Sequence, residues 1–303
     1  MVLKIKRYFN RNIKKVLITI LILVMIIIFI QVLNKIAKDK KSNTTNTEIA
    51  KNSISDEQRT TAITKDVIEE EKNTEIVSII SDFVNKCNNK QLEEAYNMLS
   101  TECKQQVYPS IENFKKSYYD IVFSTQKEID VKSWIIKNNI YTYKVSFTED
   151  LMANKNAKQT EDYYSIVKEN AENKLNINGF IGSRQINKEK MINNINIKIK
   201  KVYTYMEDED YDIEINNNLN NKIILDTKEK TTTMYIADSN GNKYYSKNYQ
   251  LSKFDLEINA KSSKELNISF NKGYNSNVTV KKIGFLNIQE INNKKDNKIE
   301  IDL

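Results

Sequence analysis

The chain contains no histidine. That absence removes the Ser-His-Asp triad, the Cys-His pair, imidazole acid–base catalysis and His-ligated zinc together. Glycine is almost as scarce. Gly179, Gly182, Gly241, Gly273 and Gly284 are too scattered for a phosphate-cradling loop or a dinucleotide fingerprint. The one proline, Pro109, excludes a proline-rich linker. Arg occurs four times against 43 Lys, beside 43 Ile and 41 Asn. Such a bias follows an AT-rich coding sequence, so clusters of Lys and Asn are discounted as functional signals. The two cysteines, Cys87 and Cys103, fall in helical segments. A helical hairpin turning at Asn88-Asn89 separates them beyond the roughly 4.4–6.8 Å between Cα atoms that a disulfide requires, so two buried thiols are expected.

What is present divides unevenly along the 303 residues. Residues 1–41 hold ten Lys or Arg against Asp39 alone, a charge of +9; the total of +7 therefore leaves the other 262 residues at −2. A basic surface for nucleic acid would have to lie on the folded body, so no nucleic-acid partner is expected. Val16 to Leu33 is apolar except for Thr19 and Gln31. As a helix those residues cover about 27 Å, close to the hydrocarbon core of a bilayer. The run is longer than the apolar region of a cleaved signal peptide, and no small-x-small site follows it. The expectation is an uncleaved signal anchor in contact with the lipid bilayer. The cationic flank before it places the N-terminus in the cytoplasm and the body outside, in a single-membrane, low-GC bacterium of Gram-positive type.

The organisation expected is a basic cytosolic tail (1–15), a transmembrane signal anchor (16–36), a polar and partly helical stalk (37–72), an α+β domain (73–184) and an all-β sandwich (185–303). Ile76, Ile79, Ile80, Phe83, Val84 and Cys87 repeat with helical spacing, and Asn88-Asn89-Lys90 interrupts them. Leu92, Ala95, Tyr96 and Leu99 predict a second helix. Ser110 caps a third, with Ile111, Phe114, Tyr118 and Ile121 inward. The period then becomes two. Ile129, Val131, Ser133 and Ile135 point one way, Asn138-Asn139 turns, and Tyr141, Tyr143, Val145 and Phe147 share a face. Further strands cover 163–168 and 174–181. After residue 185, short β runs about a dozen residues apart, with an Asn240-Gly241 hairpin signal, predict a sandwich of immunoglobulin-like kind.

The stretch IISDFVNKCNNKQLEEAYNMLSTECK, with Ala95, Tyr96 and Leu99, and the closing YYSIVKENAENKLNINGF resemble the nuclear transport factor 2-like (cystatin-like) superfamily. The resemblance covers about 110 residues. It implies three helices on a curved antiparallel sheet, in a family that includes enzymes, pocket binders and scaffolds. Members fixed to a membrane by one N-terminal helix include scaffold components of conjugation and type IV secretion machines.

Two constellations bear on chemistry. Trp134, Tyr141, Tyr143, Tyr163, Tyr164 and Phe180 are candidates to line a pocket on the concave sheet face, against the alternative that they are plain core. Asp208, Asp210 and Asp212 open like a calcium loop, but Ile213 and Leu219 stand where glycine and a bidentate Glu belong, so no metal is expected. Asp238 to Asn242 mimics a cation loop but is explained by the hairpin. Glu128, Asp130, Glu149 and Asp150 flank strands, and nothing in the spacing pairs them for acid–base work. The reading is a non-enzymatic, membrane-anchored binding or scaffold protein without a cofactor, with a protein partner or self-association at the envelope. The alternative is a small-ligand sensor using the aromatic pocket.

Overall fold

The computed structural model describes residues 60–149, 159–226, 232–247, 250–274, 278–291 and 296–303. All lie in the unit Ile54–Leu303. About half of these residues are strand and 22% helix, so the described part of the chain is mostly β. This corrects the expected class of an α+β layer with a separate sandwich and a transmembrane helix. The apolar stretch 16–33 lies outside the described residues. Among the described residues no helix is long and apolar enough to cross a membrane, so the expected single-pass placement with an external body is not supported.

The helical share is small because the segment after residue 88 is repeatedly interrupted. Helix α1 (Glu70–Asn88) is long and buries Ile76, Ile80, Phe83, Val84 and Cys87. It is followed by α2 (Leu92–Met98), α3 (Thr101–Gln106), α4 (Ile111–Phe114), a π turn (Lys115–Tyr119) and α5 (Asp120–Val122). Ser100 and Ser110 cap α3 and α4, their hydroxyls accepting from the amides of Cys103 and Asn113. The π turn inserts a residue into the helical register. Phe114 and Tyr118 stay inward, but Ile121, expected inside, is turned out and 69% exposed.

These helices cover a meander of β1 (Lys127–Lys137), β2 (Ile140–Glu149), β3 (Thr160–Glu169) and β4 (Glu172–Asn176), paired in that order. Its hairpins turn on Asn138-Asn139 and Asn170-Ala171, all four at positive φ, as primed two-residue turns require. A bulge at Ser133/Ile135 breaks the alternation of β1. Ile135 therefore leaves the face of Ile129 and Val131 and buries on the other side of the sheet. Residues 60–69, expected as part of a stalk, form a turn closed by a Thr60–Val67 bridge. The Ala62 and Ile63 amides donate to the Ser133 and Trp134 carbonyls at the bulge.

The second β assembly has two sheets. One orders β12 (Ser262–Phe270), β7 (Glu209–Asn217), β6 (Ile195–Tyr205) and β5 (Phe180–Ile192). The other orders β10 (Lys243–Tyr245), β9 (Met234–Asp238), β13 (Val280–Glu290), β8 (Ile223–Ile224) and β11 (Glu257–Ile258), with β14 (Asp296–Asp302) on β13. Alternating Ile residues of β6 and β7 point between the sheets and meet Ile236, Ile268, Ile283 and Phe285. The short helix α6 (Lys253–Leu256) closes one end through a capping box on Ser252 and Asp255. Strand β5 runs through the expected boundary at 184/185. Phe180 packs in the helix-covered core, and Ile192 packs against the sandwich core.

Candidate functional site

The structure divides the six aromatic candidates between two faces. Tyr143, Tyr164 and Phe180 are buried beneath the helices. Tyr164 meets Phe83 edge-on at 5.6 Å, and the Tyr143 hydroxyl donates to Asn73 at 2.8 Å. Tyr141 lies at the margin of that core. Trp134 and Tyr163 are on the opposite face, 5.5 Å apart, packed with Ile181, Met206 and Tyr274 where the meander meets β5–β7. Strand parity on β3 separates Tyr163 from Tyr164, because neighbouring positions face opposite sides, whereas Tyr141 and Tyr143, two apart on β2, share a face.

An open groove of about 990 Å³ lies between the start of α1 and the ends of the β1–β2 and β3–β4 hairpins. Val67, Ile136, Ile140 and Tyr141 give it apolar walls, and Lys168 is a cation on its margin. Lys72 and Glu75 pair across 2.8 Å within it. Val67 is 68% exposed, unusual for a branched aliphatic residue.

A second centre is polar and inside the aromatic core. The Tyr118 hydroxyl, carried by the π turn, donates to Asp162 at 2.8 Å and lies 2.7 Å from the Tyr164 hydroxyl. Asp162 also accepts from the Tyr163 and Asn178 amides at 2.6 and 3.0 Å. Burial pushes the Asp162 carboxyl up to about 6, against the Tyr118 hydroxyl and the amides that pull it down. Burial likewise drives Tyr118 and Tyr164 well above the ordinary phenol range. A cleft of about 470 Å³ opens above this cluster between the π turn and the ends of β2 and β3. Asp162 and Tyr118 were missed in the sequence, although one signal was present. Asp162 and Tyr164 are two apart on one strand, so an inward Tyr164 places the acid on the same inward face.

The raised carboxyl sets a pH dependence. Folded Asp162 holds its proton more tightly than the unfolded residue, so it opposes folding above about pH 6 and the penalty is relieved as pH falls through 6. Urea unfolding should show stability rising by about 1–2 kcal/mol between pH 7 and 5, the roughly two-unit shift being discounted for partial exposure. In Asp162→Asn most of that rise should be lost, leaving the share that the raised Asp210 supplies, whatever the variant's absolute stability. An unchanged slope would refute the assignment. Glu75, Glu94, Asp238, Glu257 and Glu300 have lowered values and act in the opposite direction at lower pH.

The acidic run does not converge. Asp208 pairs with Lys247 at 2.6 Å. Asp212 accepts from the Tyr203 hydroxyl at 2.8 Å and from Asn267 at 3.0 Å, while burial raises Asp210. Same-face residues on a strand stand about 6–7 Å apart, too far for one ion to gather their carboxylates. Among the described residues no group of three His, Cys, Asp or Glu is placed to hold a metal. Asp238 instead accepts from the amides of Asn240 and Asn242, closing the β9–β10 hairpin. Cys87 and Cys103 are free, buried thiols, each pushed up to about 12 by burial. No family model, no curated protein and no solved structure matches the chain.

Proposed function

We propose that this protein is a non-catalytic binding protein that holds a polypeptide partner in the groove between α1 and the hairpin ends. The observation that carries the reading is the groove itself: an open channel of about 990 Å³ with an exposed Val67 at its margin and its Lys72–Glu75 charges already matched to each other. Exposed apolar surface beside paired charge suits association better than bond making. The sequence resemblance to the nuclear transport factor 2-like superfamily is compatible with this reading, since that family includes binders and scaffolds beside enzymes.

Peptides selected from a displayed library against the full chain provide the test. Binding should fall at least about tenfold in Val67→Glu and in Lys168→Glu, both at exposed positions where refolding is not at issue. Peptides that bind both variants as well as the parent, or a second copy of the chain occupying the groove, would defeat the reading.

A further inference from the structure

We propose that the cleft beside the π turn is a separate binding site for an organic cation: a primary or secondary ammonium carried on a compact apolar body. Three observations converge. First, Asp162 at the cleft floor is a half-buried carboxylate held by neutral donors, Tyr118 and two backbone amides, with no cation paired to it among the described residues. Buried carboxylates are ordinarily matched by a positive group. Second, the nearby lysines are committed elsewhere: Lys127 pairs with Glu149 at 2.9 Å and Lys144 with Glu161 at 2.7 Å. Among the described residues the cleft therefore keeps one negative charge without a cation beside it. Third, one part of the wall is apolar, with Phe147 inside and Val122 and Ile121 toward the mouth, beside the polar Ser117, Ser124, Thr160 and Asn178 and the Lys127–Glu149 pair. A ligand whose ammonium reaches Asp162 and whose body lies on Phe147 satisfies both requirements, and aromatic faces add attraction for the cation.

Asp162 Oδ1 accepts the adjacent Tyr163 amide, one hydrogen bond against the two that Oδ2 takes from Tyr118 and Asn178, so Oδ1 is the oxygen open to that contact; the Gly179 amide also favours the ionised carboxyl. The local helix departs from α geometry at this wall: the π turn both presents Tyr118 to Asp162 and swings Ile121 outward to the mouth. The buried hydroxyls and thiol near the acid stay neutral near pH 7, because burial raises Tyr118, Tyr164, Tyr108 and Cys103 alike, while Glu161 and Glu149 are held by Lys144 and Lys127.

The test titrates the full chain with benzylammonium, using benzyl alcohol as the neutral control, by calorimetry and ligand-detected NMR. Benzylammonium should bind at least about tenfold more tightly than the alcohol. Its affinity should fall between about pH 7 and 5 as Asp162 takes up its proton. Ile121→Lys, at an exposed position, should weaken the amine several-fold and spare the alcohol, and Asp162→Asn should abolish the preference. Equal binding of amine and alcohol, no binding at about 10 mM, or an Ile121→Lys variant that binds the amine unchanged would each overturn the proposal. None of these outcomes bears on the groove, whose test uses other residues and other ligands.

Discussion

Replacing Lys272 with methionine is expected to destabilise the fold by about 3–5 kcal/mol. Lys272 follows β12 and is 4% exposed, and its ammonium donates to Glu209 Oε1 at 2.7 Å. Glu209 opens β7, is 8% exposed, and takes the Tyr211 hydroxyl on its second oxygen at 2.7 Å. Methionine fills much the same volume, so the loss is electrostatic: a carboxylate stays out of water with one neutral donor in place of a cation. The double variant Lys272→Met with Glu209→Gln removes the stranded charge and should recover most of the loss. Urea midpoints at unchanged slope give both numbers. A single-variant loss below about 1 kcal/mol would mean that water reaches the pair.

The second large effect lies in the other sheet. Gly284, on β13, is opposite Tyr235 of β9 and Glu300 of β14. The Tyr235 ring crosses it so closely that a Cβ there would sit 2.5 Å from Cε1 and 2.6 Å from Cζ. The ring cannot simply move away. Its hydroxyl donates to Glu300, and the Lys243 ammonium covers its centroid at 4.0 Å. Gly284→Ala should therefore lose about 1–3 kcal/mol. The Tyr235→Ala background should make the same substitution nearly neutral, because the obstructing ring is gone. Equal losses in both backgrounds would show that the glycine serves the backbone rather than the ring.

How far the sequence revealed these features depended on whether local spacing or tertiary contact decides them. The inward stripe of α1, the parity of β2, the Ser110 cap and the Asn138-Asn139 turn are local, and periodicity showed them. Asparagine was discounted as compositional bias, yet Asn138, Asn139, Asn170, Asn193 and Asn194 adopt the positive φ of hairpin turns; the abundant residue is also the one that tolerates that conformation. The features that were not legible each add or shift one residue. The π turn rotates Ile121 out, and the bulge in β1 carries Ile135 across the sheet. No spacing rule marks such insertions, because packing partners from distant segments select them. The site was hidden for the same reason. Asp162 acquires its character from burial under distant segments, and its hydroxyl partner is a tyrosine 44 positions earlier in the chain.

Strand β5 has a mechanical consequence. Its thirteen residues begin among the rings under α1 and end over the isoleucines of the sandwich, and every hydrogen-bonded rung goes to β6. That ladder gives the sandwich sheet a stiff extension whose far end, Phe180 and Tyr205, docks on the helix-covered half. Among the described residues the meander shares no rung with it, so side-chain packing of Trp134 and Tyr163 on Ile181, Met206 and Tyr274 is what carries a load from one half to the other.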